Sequence, residues 1–410
     1  MRRSLLIAGL LWMTASAAQE TPMDLPELVP SALAVQWLAQ DPTVQGAEGE
    51  YAAAKAEAAQ IEASPYEWTT TATYQQRNYG HGSNSDEWNV GIERQVRLPK
   101  KLTADRAIAA ATIAAAKARL SLARRQAAQD LLNLWLDWFQ AVAMKNLLLQ
   151  QQALVEESLV VVATRVHSGD AAGLEQRLAE AEVTEIQRTA STAATLEAIA
   201  WEKFSARFPT AGLQPRALPL PRPVMFDAAW WLEHISAVSD QLVAAEADQT
   251  KAEASAERAK ADRTPDPTFG VFTGSEAHGD EMLVGGTVSF PFPGERRTQQ
   301  LHQQLAQVDV ARARVESTRR ELISTARVAF AGATGDYTRW RLAQSATEAM
   351  NDNARIAQKA YTLGEQDLQT LLMARRQSLI TAEAEQQSRA DALRMAYLLA
   401  LDAKMLWLDP

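Results

Sequence analysis

Residue types able to do acid–base, nucleophilic or metal chemistry are present in this 410-residue chain, but not at the spacings that such chemistry needs. The five histidines, His81, His167, His234, His278 and His302, form no His-x-x-His or Glu-x-x-His pair, so no helix face is set up to hold a metal ion. His81 and His278 fall in the loops of two hairpins, placed to meet at one end of the molecule, and read as solvated loop residues. Cys is absent, which removes disulfides, thiolate metal sites, a thiol nucleophile and an acylated N-terminal anchor. No phosphate-binding glycine loop, Gly-x-Ser-x-Gly elbow or paired-carboxylate motif stands out, and Trp135 and Trp138, three apart on a helix, read as packing. The chain is therefore expected to be no enzyme and to carry neither cofactor nor metal. A formal charge of −9 without a basic patch argues against nucleic acid as a partner.

If the side chains do no catalysis, the elements that carry them must supply the function. Met1-Arg2-Arg3, the apolar run Leu5 to Trp12 and the small residues Ala15 to Ala18 read as a signal peptide, so the chain is expected to be secreted. After it no apolar run reaches 18 residues, so no membrane-spanning helix is expected. Residues 31–63 read as one helix ended by Pro65. Apolar and polar residues then alternate from Tyr66, pass a loop over Gly80 to Asp86 and alternate again from Glu87 to Glu93, as in a hairpin. Lys100 to Val166 contains neither Pro nor Gly, and at 1.5 Å per residue it predicts a helix of about 100 Å. A Ser168-Gly169-Asp170 turn leads into a returning helix.

The pattern then restarts. Pro99 is matched by Pro293 and Gly169 by Gly364, so one structural half is written twice. The boundaries read this way are a signal peptide over 1–18 and a first repeat over 19–207, with hairpin 66–98, long helix 100–166 and return helix 174–207. A Pro-rich linker over 208–225 leads to a second repeat over 226–410, with a helix over 226–261, hairpin 267–292, long helix 295–363 and return helix 368–406.

The strands alternate Trp, Tyr, Val and Ile with Thr, Gln, Asn and Glu, as expected for one lipid face and one wet face. Four strands cannot close a barrel, and open edges are not tolerated in lipid. Two chains would give eight strands with a filled interior, whereas three give twelve and room for a passage. The fold class expected is mainly α with a small β part: a duplicated unit building a trimeric twelve-stranded outer-membrane barrel continued by a periplasmic α-helical barrel. Ala-rich stretches such as Ala107 to Ala118 are expected to let those helices approach closely.

The tip of the second long helix pair reads Tyr361-Thr-Leu-Gly364-Glu-Gln-Asp367-Leu-Gln-Thr-Leu371-Leu372-Met-Ala374, and the first copy, Arg165-Val-His-Ser-Gly169 to Leu174-Glu175, is a looser version. With the strand-to-helix prolines Pro99 and Pro293, these residues make the chain resemble the TolC family of outer membrane efflux proteins along nearly all its mature length. The resemblance implies a homotrimeric duct in outer-membrane lipid, closed at its periplasmic tip. It also implies a periplasmic adaptor (membrane fusion) protein and an inner-membrane RND or ABC transporter as partners, with the adaptor touching the Gly169 and Gly364 turns. Small toxic substrates, drugs or heavy-metal ions, are the expected cargo, and the duct of a type I protein secretion system shares the same fold. A periplasmic adaptor or coiled-coil scaffold fits less well, because an adaptor has one helical hairpin between β-rich halves. In the family an acid in the first tip pairs with a Tyr and an Arg in the second. Glu175 and Tyr361 take two of those places, but Gln366 stands where the Arg is expected, and Thr370 and Met373 stand where acids are usual. Asp170, Glu365 and Asp367 are the acids left to form a rim at the gate.

Overall fold

The computed structural model describes residues 25, 26, 28–209 and 213–407; the expected signal peptide lies outside them. The first half runs α1 (Ser31–Gln40), α2 (Pro42–Glu62), β1 (Thr69–Arg77), β2 (Ser85–Gln95), α3 (Pro99–His167) and α4 (Gly173–Ser205). The second runs α5 (Ala228–Val238), α6 (Asp240–Asp262), β3 (Thr268–Glu276), β4 (Glu281–Ser289), α7 (Glu295–Thr362) and α8 (Leu368–Asp402). Among the described residues no helix is long and apolar enough to cross a membrane.

Two helices expected to be continuous are broken. Residues 31–63 split at Asp41, because Pro42 has no N–H to give and pushes the preceding residue to extended backbone, here φ −65°, ψ 129°. Asp41 becomes the cap instead, accepting from the Thr43 N–H at 2.9 Å. The second-half helix splits at Ser239, whose extended backbone and hydroxyl, 3.4 Å from the Leu242 N–H, restart the helix as α6. Gly332 and Gly335, by contrast, do not interrupt α7. At Gly332 a side chain would sit 2.6 Å from Cε of Met395, so the glycine is what lets α8 lie close there.

The helices stand side by side in two open rows. In the half nearer the strands, α2 packs on α3, α3 on α6 and α6 on α7. In the half away from them, α4 packs on α3, α3 on α8 and α8 on α7. Alanines make the first row tight: Ala104, Ala111 and Ala115 of α3, Ala54 and Ala58 of α2, and Ala244, Ala247 and Ala256 of α6 are all buried. Where the rows meet, a thicker core of Trp37, Trp135, Trp138, Phe139, Phe204 and Phe208 is tied down by Arg207, which donates to Asp41 at 2.8 Å and Asp130 at 2.7 Å. The outer flanks stay apolar and uncovered, with Leu174, Leu196 and Ile199 on α4 and Leu305, Val310, Leu342 and Ile356 on α7 exposed.

The four strands form one antiparallel sheet in the order β1-β2-β3-β4. Its register puts Tyr74, Trp88, Val90, Ile92, Val271, Val284 and Val288 on one face, and Thr71, Gln75, Glu87, Asn89, Glu93 and Thr287 on the other. β1 and β4 form the two edges. β1 starts three residues later than the alternation suggested, because Tyr66 lies outside the sheet and its hydroxyl donates to Asp266 at 2.6 Å, whereas β2 runs two residues further at each end.

Asp266 anchors the junction between sheet and helices. It is 2% exposed and also accepts from the Leu98 N–H at 3.0 Å and from Lys101 at 3.0 Å. Beside it Asp105 receives Arg97 at 2.7 Å and Arg258 at 2.6 Å, while Arg97 also caps the end of α2 through the carbonyls of Ile61, Glu62 and Ala63. Pro99, at the first position of α3, gives up an N–H that no helical partner would take. Pro293 lies two residues before α7. Burial alone would push the Asp266 carboxyl up, but the donors from Tyr66, Leu98 and Lys101 outweigh it and hold it below its ordinary value of 3.8. A depressed carboxyl gives stability that is present above its unfolded value and lost as pH falls through its folded one. Asp266→Ala is expected to cost roughly 1–3 kcal/mol at neutral pH, because the Leu98 N–H and the Tyr66 hydroxyl lose their acceptor and the buried Lys101 keeps only Asp262, at 3.2 Å. In urea unfolding followed by circular dichroism, the gap to wild type should narrow below pH 3.8. A gap independent of pH would show that the ionised carboxylate is not what matters.

Candidate functional site

Both long helices end in the same way, away from the strands. Gly169 and Gly364 take the left-handed backbone, at φ +80° and +74°, which a side chain would strain. In each turn the two N–H groups after the helix fold back onto it. Gly169 donates to the Val166 carbonyl and Asp170 to that of Arg165, while Gly364 donates to Tyr361 and Glu365 to Ala360. The tips therefore share one shape, set by one glycine each.

Tyr361 joins the two tips. It is 2% exposed, wedged among Val162, Ala179, Leu368, Leu371 and Ala374, and its hydroxyl donates to Glu175 at 3.2 Å. Burial, reinforced by the Glu175 carboxylate, raises its phenol above the ordinary value of 10.0. Gln366 does not take part; it is exposed and makes no hydrogen bond among the described residues. The cation absent from that position comes instead from Arg165, in the first tip. Its guanidinium lies 4.9 Å from the centre of the Tyr361 ring, donates to the Tyr361 carbonyl at 3.4 Å and pairs with Asp170 at 2.9 Å. The signal for it was present in the sequence: Arg165 lies in the last turn of a helix, where cations are favoured, four residues before a tip glycine.

The acids expected at a rim divide. Asp367 caps α8, accepting from the Thr370 N–H at 2.8 Å, and this holds its carboxyl below the ordinary range. Asp170 is taken by Arg165, and Glu365 is exposed at the turn. Sequence reasoning missed the contacts about two to three turns above the tip, where Arg375 of α8 donates to Ser158 of α3 at 2.6 Å and to Gln358 of α7 at 2.5 Å. Arg376 reaches Glu182 of α4 at 2.9 Å. The Ser158 and Glu182 contacts link the α3–α4 pair to the α7–α8 pair, whereas the Gln358 contact lies within the second pair. None of the described His, Cys, Asp or Glu residues cluster as a metal site would require, and His278 meets Ser83 and the Tyr79 ring rather than His81.

Such an arrangement, long paired helices joined at a tip by a few polar contacts and continued into a four-stranded sheet, is the fold of the TolC-like outer-membrane channels. The chain superposes on VceC of Vibrio cholerae with a TM-score of 0.75 at 16% identity, covering 91% of this chain and 95% of that one. With the CmeC channel of Campylobacter jejuni the TM-score is 0.75 at 13% identity, covering 98% and 94%. A membrane protein of Pseudomonas aeruginosa gives 0.75 at 16%, covering 91% and 90%. Residues 231–401 match the outer membrane efflux protein family, so the second repeat carries that family's sequence and the whole chain carries the fold. No curated protein sequence matches the chain. The family is one of transport channels rather than enzymes, and the chain is placed with it in the outer membrane.

Replacing Arg165 by Ala removes a cation–π contact and an ion pair, each worth about 0.5–1 kcal/mol at an exposed site. Amide exchange over residues 359–365 is expected to quicken by roughly three- to tenfold. Unchanged exchange would show that Arg165 does not help to hold Tyr361.

Proposed function

We propose that the chain is one third of an exit duct for an efflux pump, passing small toxic molecules from the periplasm to the outside without chemical change. The observation that carries this reading is that both layers of the protomer are unfinished at the same flanks. β1 and β4 end the sheet with unpaired backbone, and α4 and α7 end the helical rows with exposed leucines, valines and isoleucines. A cylinder of repeated protomers finishes both at once. Three protomers supply twelve strands, with Tyr74, Trp88, Val90 and Ile92 toward lipid and the Thr- and Asn-bearing face toward water.

In this reading Tyr361, Glu175 and Arg165 hold the periplasmic end shut. Opening needs only a small shift of one helical hairpin against the other, and partner binding need only bias that balance. A periplasmic adaptor docks at the Gly169 and Gly364 turns, where Glu365 is free to pair, and an inner-membrane transporter supplies the cargo. Drugs and heavy-metal ions both remain as cargo, because no residue of the tip selects between them.

Two measurements test the reading. The chain contains no Cys, so engineered pairs have no background. Thr73→Cys in β1, combined in turn with Leu283→Cys, Thr287→Cys and Ser289→Cys in β4, should give a covalent trimer on mild oxidation for one register. Monomers at every register would end the shared-barrel idea. In planar bilayers, Tyr361→Phe with Glu175→Ala should raise single-channel conductance severalfold, and an unchanged value removes these residues from the gate.

A further inference from the structure

Among strand residues, the polar face of the sheet carries a single aromatic, Phe272, and its four nearest neighbours on that face are all glycines. Gly91 and Gly285 lie directly across from it on β2 and β4, and Gly270 and Gly274 lie two residues away on its own strand. The ring leans to one side only: a side chain at Gly285 would sit 2.6 Å from Cε1 of Phe272. On the Gly91 side the wall is left open as a groove of about 310 Å³, bounded by Thr71, Asn89, Glu93, Phe272 and Thr287. Glu93 is the diagonal neighbour of Phe272, within reach of the same small ligand. It is half-buried and, among the described residues, has neither an ion pair nor a side-chain hydrogen bond. The other acid on this part of the face, Glu87, is already held by Arg77 at 3.0 Å. The positions around Glu93 are Thr69, Gly91, Gln95 and Gly270, none of them a cation.

A ring that merely covered bare backbone would need neither an open groove beside it nor an unpaired carboxylate at the groove's edge. We propose that this groove binds organic cations, one per chain: compact ammonium compounds with apolar or aromatic substituents. The Phe272 face and glycine floor take the apolar part, the Glu93 carboxylate takes the charge, and Asn89, Thr71 and Thr287 offer polar contacts at the rim. Inorganic cations lack the apolar surface, neutral aromatics lack the charge, and anions are repelled. The groove's place in the lumen rests on the duct reading above, where closure would give three copies around the wall; its chemistry does not depend on that reading.

The full chain, purified in a non-ionic detergent, is titrated calorimetrically with benzyltrimethylammonium, using sodium chloride at equal strength as the control. Saturable binding near one per chain is expected. Glu93→Gln and Phe272→Ala should each weaken it by roughly tenfold or more, whereas Phe272→Tyr should keep it within a few-fold. Circular dichroism confirms that each variant is folded, and Glu93→Gln, which keeps shape and volume, carries the test if the alanine variant is not. Absence of saturable binding in the wild type, or wild-type affinity in Glu93→Gln, overturns the proposal. The same probe is then added to wild-type channels in planar bilayers. Binding without any conductance leaves the site standing and removes the duct, whereas conductance without binding does the reverse.

Discussion

Unpaired N–H and C=O groups along the outer edges of β1 and β4 are the constraint from which the remaining structure follows. In water such edges cost little, because solvent pairs with them, but in hydrocarbon each unpaired group costs several kcal/mol. The same sheet turns Trp88, Val90, Ile92, Val271 and Val284 outward as a continuous exposed apolar face, which water disfavours and lipid accepts. A sheet that must sit in lipid on one face, and cannot remain there with open edges, has to be completed by other strands. Among the described residues the chain offers no fifth strand.

The helical rows obey the same demand with different forces. They repeat the order of the sheet, four abreast, and stop with apolar flanks on α4 and α7. What keeps the two layers aligned is the cluster around Asp266 and Asp105, where every link crosses between elements: Tyr66 and Lys101 reach from the first repeat to the second, and Arg258 from the second to the first. Charges buried in this way add little net stability over apolar packing, but they accept one geometry and penalise others. At a junction where a strand turns into a 69-residue helix, a small error in direction would be magnified along about 100 Å, so a geometry-selecting contact is worth more there than an apolar one.

The large elements were legible because their signals are repetitive. Sixty-seven residues without Pro or Gly allow only a long helix, and alternation with an intervening polar loop allows only a hairpin. The breaks at Asp41 and Ser239 were less visible, since each is a local contest. Pro42 follows a residue that can itself become a cap, and Ser239 stops a helix by offering its hydroxyl to the next one. The tip was half legible. Tyr361, Glu175 and both glycines could be picked out by position, but Arg165 could not be preferred over the vacant place at Gln366. Its role depends on a contact across 196 positions, and sequence periodicity has nothing to say about which face of one tip meets the other.

Moving the cation from the second tip to the first alters how the tip responds to motion. Arg165 and Asp170 belong to one turn, so their ion pair travels with the α3–α4 hairpin whatever the other hairpin does. The contacts that cross between hairpins are the Tyr361 hydroxyl on Glu175, the guanidinium against the Tyr361 ring, and the Arg375 and Arg376 links above. Separating the hairpins at the tip therefore breaks two hydrogen bonds, Tyr361 to Glu175 and Arg165 to the Tyr361 carbonyl, and a cation–π contact, but leaves the charge of Arg165 compensated. A cross-hairpin ion pair would have left two charges without partners on opening. On the proposal that these tips form a gate, the polar contacts that cross between hairpins at the tip itself would favour a closed state by about 1–2 kcal/mol, a balance that a docking partner could reverse.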